Sequence, residues 1–415
     1  MTAQDVRGQQ LLSAGKRFGA APGLVSRLLA PGFRVVVDRV DRGLARGTML
    51  AHLPDGTTRA LGGRAPGFEV ELTVHDWRAL VRLATNGSIG WYQAYEAGEW
   101  ECEDLVALFA IMGDNVRELG NTARSSGPFK WAAKAAHRLN RNSKDGSERN
   151  IAAHYNLGND FYRTWLDPSM GYSSARELVP GSDVHGLEEA QRRKFAEIAG
   201  RLGDGRDVLE IGCGWGTLAD LLAGQGRRVT AISLSDEQLD WARAHCSPFI
   251  TFEHCDYRDV QGRYDAIACV EMVEALGREY WPTFLDTVSN ALNPGGRAAI
   301  QYISMADDLF ETYASTAEFI QAYIFPGGLL IKTSEFRALA EERGLSWDKP
   351  VSFGQDYAET LKLWRARFDA AVAQDRLPEG FDARFKRLWH YYLAYCEAGF
   401  RAGNISVHQV TLVKS

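Results

Sequence analysis

The stretch Val208-Leu-Glu-Ile-Gly-Cys-Gly-Trp-Gly-Thr217 decides the fold. A hydrophobic run leads into three glycines at alternate positions, which is typical of a buried strand that turns sharply into a helix. Glycine permits a tight turn and lets a ligand approach the backbone closely, and open α/β sheets bind ligands where such strands end. The stretch therefore predicts a nucleoside site at the carboxyl end of a parallel strand.

Strand and helix patterns alternate around this stretch. Strand patterns lie at 206–211, 228–232, 249–253, 264–270 and 297–303. Helical patterns lie between them at 218–223 and 236–245, and Asp236 is expected to cap the second helix. Such alternation predicts an α/β fold with a doubly wound sheet of parallel strands and right-handed crossovers. Near the end of the chain, 405–413 alternates like an edge strand.

Residues 1–120 show a different pattern and predict a smaller N-terminal α+β domain. Strands are expected at 34–38, 47–52 and 68–74, a hairpin turn at Asp55-Gly56, and helices at 76–85 and 102–112. Residues 121–150 predict a basic linker in which aromatic and basic residues recur at near-helical spacing. That spacing suits a helix on a membrane surface and equally a solvated linker helix. Residues 151–415 are expected to form the main domain.

The composition narrows the classes of function. The chain of 415 residues is 45% hydrophobic and 24% charged, and its net charge of −6 gives no overall basic field for nucleic acid. The N-terminus lacks the pattern of a signal peptide, and no run of about 18 apolar residues predicts a membrane-spanning helix. We therefore expect a cytoplasmic protein that reaches a membrane from the water side. The six cysteines form no C-x-x-C pair, and no metal site is predicted.

The spacing of the glycines distinguishes a dinucleotide site from a site for another nucleoside ligand. A dinucleotide loop has the form G-x-G-x-x-G, whereas this chain has Gly212, Gly214 and Gly216 and lacks the lysine of a phosphate loop. With Glu210, the motif resembles motif I of class I S-adenosylmethionine methyltransferases. The turn Asn293-Pro-Gly-Gly296 keeps the order of that family. By this resemblance, the cofactor-binding residues are Glu210, Gly212, Gly214, Gly216, Ser233, Leu234, Gln238, Asp256 and Tyr257. The narrower family resemblance described next adds Tyr172 and Ser173, which would cover the methionine end of the cofactor.

Two segments before the glycine loop narrow the family further. They are His154-Tyr-Asn-Leu-Gly-Asn-Asp-Phe-Tyr162 and Trp165-Leu-Asp-Pro-Ser-Met-Gly-Tyr-Ser-Ser-Ala175. They resemble the HYD-x-GNDFY and LDP-x-MTYSCA segments of cyclopropane-fatty-acyl-phospholipid synthases and mycolic acid methyltransferases. The resemblance continues through Asp256-Tyr-Arg-Asp259, Tyr323-Ile-Phe-Pro-Gly-Gly328 and Phe353-Gly-Gln-Asp-Tyr357, and it covers about residues 80–415.

This resemblance implies a Rossmann-like enzyme that adds a one-carbon unit from S-adenosylmethionine to a double bond in a phospholipid acyl chain. Transfer creates a carbocation on the chain, which an apolar pocket with aromatic faces would stabilise. Tyr313, Phe319 and Tyr323 are the predicted pocket residues. The N-terminal domain would serve in association and lipid capture at the inner membrane face. A homodimer, and a lipid reductase or oxygenase that acts on the product, are compatible with this function.

The part of the family's site that removes a proton is altered in this chain. The resemblance implies a bound bicarbonate as the base, at positions that correspond to Ser174, Glu274, Gln301, Ile303 and Tyr357. Serine replaces the family's cysteine, glutamine replaces its histidine, and alanine follows Glu274 where the family has histidine. Serine and glutamine still donate hydrogen bonds, but glutamine cannot carry a proton near neutral pH, so the bicarbonate is in doubt. The expected product is a cyclopropane or, favoured by these replacements, a methyl-branched or methylene olefin, with Glu274 or Tyr357 as the base.

Three other classes of function stay open at this point. A methyltransferase of small molecules would share the fold but would not act on phospholipid. A non-catalytic lipid-binding protein would carry a degenerate site, against which the intact glycine loop and Glu274 argue. A dinucleotide oxidoreductase would need a glycine spacing that the chain lacks. A thermal shift with S-adenosylmethionine tests the non-catalytic alternative, because a ligand that binds only the folded state raises its stability.

Overall fold

A computed structural model of the protein describes residues 7–14, 30–120, 157–316 and 318–415. The predicted basic linker at 121–150 and residues 154–156 of the family motif lie outside these ranges. The chain forms two compact units. The first unit comprises Met1–Asn140, Glu311–Pro326 and Gly380–Asn404, and the second comprises Arg141–Phe310, Gly327–Glu379 and Ile405–Ser415.

The first unit contains a four-stranded sheet. Its strands are Thr48–His52 (β1), Thr58–Gly62 (β2), Glu69–Val74 (β3) and Trp100–Glu101 (β4), in the order β2-β1-β3-β4. Its helices are Gln9–Ala14, Ala30–Gly43, Arg78–Glu96, Leu105–Asp114, Val116–Leu119, Phe319–Tyr323 and Ala383–Arg401. The hairpin expected at Asp55-Gly56 joins β1 to β2, which pair antiparallel.

The segment 34–38, which we predicted as a strand, lies inside the helix Ala30–Gly43. Its three consecutive valines favour a strand, but burial follows the helical period instead. Phe33 and Val37 are buried four residues apart, whereas Val35 between them is 50% exposed. The helix forms because this spacing puts both buried side chains on one face.

Late segments of the chain complete the first unit, whereas the sequence patterns had placed all of 151–415 in one domain. The reason is packing on the helix Ala383–Arg401, which contacts the helix Leu105–Asp114. The ring of Tyr391 lies 5.0 Å from that of Tyr92 and 4.9 Å from that of Phe109, and all three rings belong to this unit. These contacts join residues almost 300 positions apart, so no local pattern indicates them.

The second unit is built on an eight-stranded sheet. Its strands are Asp207–Ile211 (β5), Arg228–Ser233 (β6), Thr251–His254 (β7), Tyr264–Val270 (β8), Leu292–Met305 (β9), Ile331–Lys332 (β10), Leu345–Ser352 (β11) and Ile405–Lys414 (β12). The order is β11-β12-β9-β8-β5-β6-β7, with β10 paired to β9. The run from β9 to β7 is parallel, as the alternating pattern predicts, and β12 is antiparallel to β9 and to β11.

The strand β12 is not at the sheet edge, where we had expected it. It lies between β9 and β11, and both of its faces are covered. Val407 and Gln409 on one face are fully buried, and so is Leu412 on the other, while Val410 and Thr411 are 1% exposed. The irregular strand β11 takes the edge position, with a register shift between Asp348 and Val351.

Helices accompany the sheet of the second unit. They are Asn159–Arg163, Val184–Arg201, Thr217–Gly224, Asp236–His245, Trp281–Ala291, Thr333–Glu341 and Gly354–Ala373, and the helix Asp307–Ala314 includes the boundary between the units. Ser235, rather than the predicted Asp236, caps Asp236–His245, because its hydroxyl accepts the backbone N–H of Gln238. Within the described ranges, no helix is long and apolar enough to cross a membrane.

Candidate active site

The glycine loop after β5 forms an open cradle of backbone. Gly212, Gly214 and Gly216 all have positive φ, at +79°, +52° and +87°. A Cβ at Gly216 would lie 2.9 Å from the sulfur of Cys246, so packing requires glycine there. A Cβ at Gly214 would meet only the side-chain nitrogen of Gln238, at 3.9 Å. The backbone at Gly214 thus faces free space, as it must if a ligand lies against it.

Two predicted cofactor residues present buried polar atoms that no described residue satisfies. These atoms are Oε2 of Glu210 and the hydroxyl of Tyr257. Burial raises the pKa of Glu210 to about 8, although a backbone hydrogen bond from Ala219 acts in the opposite direction. Burial also raises the pKa of Tyr257 to about 12. Buried polar groups in folded proteins have partners, so these atoms fit a ligand that offers donors and acceptors, as a nucleoside does.

The other predicted cofactor residues follow β6 and β7. The hydroxyl of Ser233 accepts the backbone N–H of Ser235 at 3.2 Å, and Leu234 beside it is partly exposed. Gln238 is 4% exposed, and its side chain points to Gly214. The carboxylate of Asp256 already accepts three hydrogen bonds from Arg258, including Nε at 2.7 Å and Nη2 at 2.6 Å. Contact of Asp256 with the cofactor therefore stays a prediction.

Tyr172 and Ser173 lie in the loop before the helix Val184–Arg201. The ring of Tyr172 packs 5.4 Å from Trp364, whose ring lies 6.0 Å from that of Tyr357. Aromatic contacts thus connect a predicted cofactor residue to a predicted catalytic one. The hydroxyl of Ser173 accepts a 2.5 Å hydrogen bond from Nζ of Lys194, a residue that the sequence patterns did not single out.

Lys194 is fully buried. Burial lowers the pKa of its ammonium to about 8, and the nearby carboxyls of Glu271, Asp167 and Glu210 oppose this shift. A lysine in this setting interacts with the cradle through Glu210 and with a second group of acids through Glu271. It therefore links the two parts of the site electrostatically.

The second part of the site is centred on Glu271, directly after β8. Its Oε1 accepts the backbone N–H of Ser174 at 2.9 Å and Nε2 of Gln301 at 2.7 Å. Its Oε2 accepts the hydroxyl of Tyr357 at 2.8 Å. The backbone of Glu271 has φ of +49°, a left-handed conformation that residues other than glycine rarely adopt. We call Glu271 together with Glu274 the acidic pair.

Glu274 is the other member of the acidic pair. Its Oε1 accepts the backbone N–H of Ile303, and its Oε2 is buried with no partner among the described residues. Burial raises the pKa of Glu274 to about 8, and the charge of Glu271 acts in the same direction. Burial also raises the pKa of Glu271, but its donors, Gln301 foremost, and the charge of Lys194 oppose that shift. Near neutral pH the proton of the pair therefore resides on Glu274.

A chain of amides fixes the orientation of Gln301. Its Oε1 accepts Nε2 of Gln409 at 3.0 Å, and Oε1 of Gln409 accepts Nε of Arg201 at 3.1 Å. Gln301 and Gln409 are both fully buried. Because the acceptor end of Gln301 is already used, its amide nitrogen points to Glu271.

All five predicted catalytic residues, Ser174, Glu274, Gln301, Ile303 and Tyr357, thus have contacts within the acidic pair and its donors. Ser174 takes part through its backbone N–H, since its hydroxyl donates to the carbonyl oxygen of Ala175 at 2.9 Å. Sequence reasoning missed Glu271, Lys194 and Gln409. A signal existed for Glu271, because two glutamates three residues apart follow a buried strand at the edge where ligands bind.

The three predicted pocket residues belong to the first unit. Phe319 and Tyr323 are buried, and their rings lie 5.0 and 4.6 Å from that of Tyr92. Tyr313 lies in the helix Asp307–Ala314. Their part in an acyl pocket stays a prediction.

The parallel sheet, the open glycine cradle and its unsatisfied polar atoms define a class I S-adenosylmethionine-dependent methyltransferase. The family described as mycolic acid cyclopropane synthetase matches residues 142–410, and the chain belongs to this family. This match confirms the resemblance that the sequence motifs indicated.

Named relatives agree with this assignment. The chain is 38% identical to the tuberculostearic acid methyltransferase UfaA1 of Mycobacterium tuberculosis, over 88% of each chain. It is 32% identical to the cyclopropane-fatty-acyl-phospholipid synthase of Escherichia coli K12, over 85% of this chain and 89% of the relative. The solved structure of mycolic acid cyclopropane synthase CmaA1 with SAH and CTAB matches with a TM-score of 0.59 and 27% identity, covering 64% of this chain and 98% of that one. The cyclopropane synthase MmaA2 of Mycobacterium tuberculosis gives a TM-score of 0.58 and 25% identity over the same shares. The predicted fold class and cofactor are thereby confirmed.

Proposed function

We propose that the protein methylates a double bond in an unsaturated phospholipid acyl chain and releases a methyl-branched or methylene olefin. One relative is named a tuberculostearic acid methyltransferase and another a cyclopropane-fatty-acyl-phospholipid synthase, and both names support the modification of a fatty acid or fatty acyl chain. The observation that supports an olefin product is the acidic pair. The carboxylate of Glu271 accepts hydrogen bonds from Ser174, Gln301 and Tyr357.

Different residues of the site bind the cofactor and stabilise the cation. S-adenosylmethionine, when bound, supplies an electrophilic methyl group. The loop from Gly212 to Gly216 and the unsatisfied oxygen of Glu210 fit its nucleoside part. Lys194 fixes Ser173 on the side of the loop where the resemblance places the methionine part. The aromatic rings of Tyr172, Trp364 and Tyr357 form a face that would stabilise a cation.

The product depends on which proton is removed. Addition of the methyl group to one alkene carbon leaves the positive charge on the other. Loss of a proton from a neighbouring chain carbon gives a methyl-branched olefin, and a hydride shift followed by loss from the methyl group gives a methylene olefin. Direct loss from the methyl group closes a cyclopropane ring. Gln301 cannot accept a proton, so the ionised carboxylate of the acidic pair is the group that can.

The substrate and its location are part of the same proposal. A phospholipid substrate requires contact with a membrane surface, which we place at the inner, cytoplasmic face. The basic and aromatic residues predicted at 121–150 support such contact. The same proposal includes a homodimer as the assembly and a lipid reductase or oxygenase as the enzyme that acts on the olefin next.

Proton NMR of the products tests the proposed function. The protein is incubated with S-adenosylmethionine and vesicles of monounsaturated phospholipid, and the released fatty acids are examined, because the candidate products are isomers of equal mass. We expect vinyl and branched-methyl signals. Upfield ring protons would show instead that the site closes a cyclopropane. No added carbon, in phospholipid or in free fatty acid, would contradict lipid methylation and favour the non-catalytic alternative.

A further inference from the structure

The donors around Glu271 are the groups that the family resemblance assigns to a bound bicarbonate. In this structure they point to a side-chain carboxylate, which comes from a residue that the resemblance does not include. The N–H of Ser174 and Nε2 of Gln301 converge on Oε1 of Glu271, and the hydroxyl of Tyr357 reaches its Oε2. The residues present therefore do not fit a separate bicarbonate ion, because their donors are already bonded to an anion of equivalent shape.

We propose that the carboxylate of Glu271 is a built-in proton acceptor that replaces an exchangeable anion in the methylation reaction. This inference rests on the proposed function and deepens it. The electron pair of the C–H bond next to the cationic carbon becomes the π bond of the olefin. The proton goes to an oxygen of Glu271, and the neutral acid returns it to water after the product leaves.

The hydrogen bonds leave room for this proton. A carboxylate offers about four acceptor positions. Among the described residues two of them are used on Oε1 and one on Oε2, by Tyr357. Oε2 therefore keeps one position for a substrate proton. The proton next to a carbocation is so acidic that a carboxylate held by three donors is a sufficient base, and its position matters more than its strength.

The backbone at Glu271 argues against a purely structural role. Its φ of +49° costs a residue with a Cβ about 1 kcal/mol or more, whereas glycine would adopt it freely. Burial of the carboxylate adds a desolvation cost, which is the largest cause of its raised pKa. A neutral residue could satisfy the same donors without a buried charge. Strain and charge retained together at one position are typical of a functional site.

The acidic pair also sets the protonation states that the proposal needs. Glu271 has three donors and the charge of Lys194 to favour its anion, whereas Glu274 has one donor and faces the charge of Glu271. The pair therefore offers one charged acceptor and one neutral acid. Covalent attachment fixes the acceptor at the end of β8. This position selects which proton is removed, and a diffusible ion would have no such anchor.

Two substitutions at Glu271 test this inference directly. Glu271→Gln keeps the shape but removes the base, and we expect turnover to fall at least about 100-fold. Its thermal shift with S-adenosylmethionine should remain, which shows that the cradle is intact. Glu271→Gly suits the left-handed backbone and vacates the anion position, so added bicarbonate or formate should restore part of its turnover.

A binding measurement gives a readout that does not depend on turnover. The ¹³C NMR signal of labelled bicarbonate should broaden with Glu271→Gly and stay sharp with the unaltered protein. Glu177→Gly is the matched control, because Glu177 is exposed and has a φ of +54°, so it tests relief of backbone strain alone. This control should neither bind bicarbonate nor lose turnover.

Several results would overturn the inference. They are a dependence of the unaltered enzyme on bicarbonate in CO₂-free buffer, turnover of Glu271→Gln above about one tenth of normal, or failure of both anions to rescue Glu271→Gly. If the unaltered protein methylates no lipid, the proposed function fails. The bicarbonate measurement then still decides whether Glu271 occupies an anion position, since equal signals from the unaltered protein and Glu271→Gly would contradict it.

Discussion

The glycine cradle and the acidic pair lie at the ends of neighbouring strands but are built in different ways. The cradle follows β5 and is made of backbone, with glycines at Gly212, Gly214 and Gly216. The acidic pair follows β8 and consists of two side-chain carboxylates, whose hydrogen-bond donors lie in other segments: the side chains of Gln301 and Tyr357 and the backbone N–H groups of Ser174 and Ile303. The two are close, because a Cβ at Gly212 would lie 2.9 Å from Met272, the residue after Glu271.

The cradle is the part of the site that this chain shares with its family, and the surroundings of the acidic pair are the part in which it differs. A cofactor common to many methyltransferases is bound by a backbone turn, which tolerates few alternatives. Removal of a proton depends on where one acceptor lies, and a few side chains can relocate it. In this chain the cradle keeps the motif of the family, whereas the positions around the acidic pair have serine, alanine and glutamine where the family has cysteine and histidine. Specificity for the product is expected in the acidic pair.

The largest effect is expected at Lys194, which interacts with both parts. Lys194→Met keeps the length of the buried side chain but leaves Glu271, Asp167 and Glu210 without their cation. We expect the free energy of unfolding to fall by about 3 kcal/mol, because Ser173 loses a charged hydrogen-bond donor and the buried carboxyls lose the nearby positive charge. Urea denaturation measures this change. Lys362→Met, at an exposed position of the helix Gly354–Ala373, is the control and should change stability by less than about 0.5 kcal/mol.

A change in the cradle should weaken cofactor binding and affect stability less than the change at Lys194. Gly214→Ala adds a methyl group where the cofactor is expected, and we predict at least about a tenfold weaker affinity for S-adenosylmethionine by calorimetry. Gly226→Ala is the matched control, because Gly226 has φ of +80° and a Cβ there would meet nothing within 4 Å. Both variants carry left-handed strain, so equal affinities would show that Gly214 does not face the ligand.

The sequence predicted the cradle, which a local motif marks, but it did not predict Glu271 of the acidic pair. The residues 236–245 and 264–270 were predicted as elements with the observed bounds, because local periodicity marks them. The motif after β5 identified the cradle for the same reason. Glu271 was missed because its role depends on Gln301 and Tyr357, which lie 30 and 86 residues away and meet it only in the folded chain. The segments Glu311–Pro326 and Gly380–Asn404 belong to the first unit because of contacts that also join residues far apart in the sequence.

A smaller effect is expected when one donor to Glu271 is removed. Tyr357→Phe keeps the ring beside Trp364 but loses a hydrogen bond to a charged acceptor, which is worth about 1.5 kcal/mol. Turnover should fall about tenfold while affinity for S-adenosylmethionine stays unchanged. Tyr302→Phe removes a buried hydroxyl that bonds Thr333 instead, at 3.3 Å, and serves as the control. Equal turnover in the two variants would argue that Tyr357 only packs.

The smallest effect concerns the pH dependence of stability, and it compares Glu274 of the acidic pair with Glu210 of the cradle. Burial raises the pKa of each carboxyl to about 8 from a usual value of 4.5. Between these values the folded state holds a proton that the unfolded state has lost, so stability must fall as pH rises through this window. Glu274→Gln and Glu210→Gln should each flatten the decline between pH 5 and 8, by at least about 1 kcal/mol.

Addition of the cofactor then separates the two parts of the site. Suppose that the Oε2 atom of Glu210, which has no partner among the described residues, binds the cofactor. Saturating S-adenosylmethionine should then change the pH dependence of stability in Glu274→Gln, which keeps Glu210. The change should be smaller in Glu210→Gln. Thermal unfolding followed at several pH values, with and without the cofactor, measures both slopes. A cofactor effect of the same size in both variants would mean that Glu210 is a structural acid of the core. The cradle would then consist of backbone alone, and the contrast with the acidic pair would be sharper still.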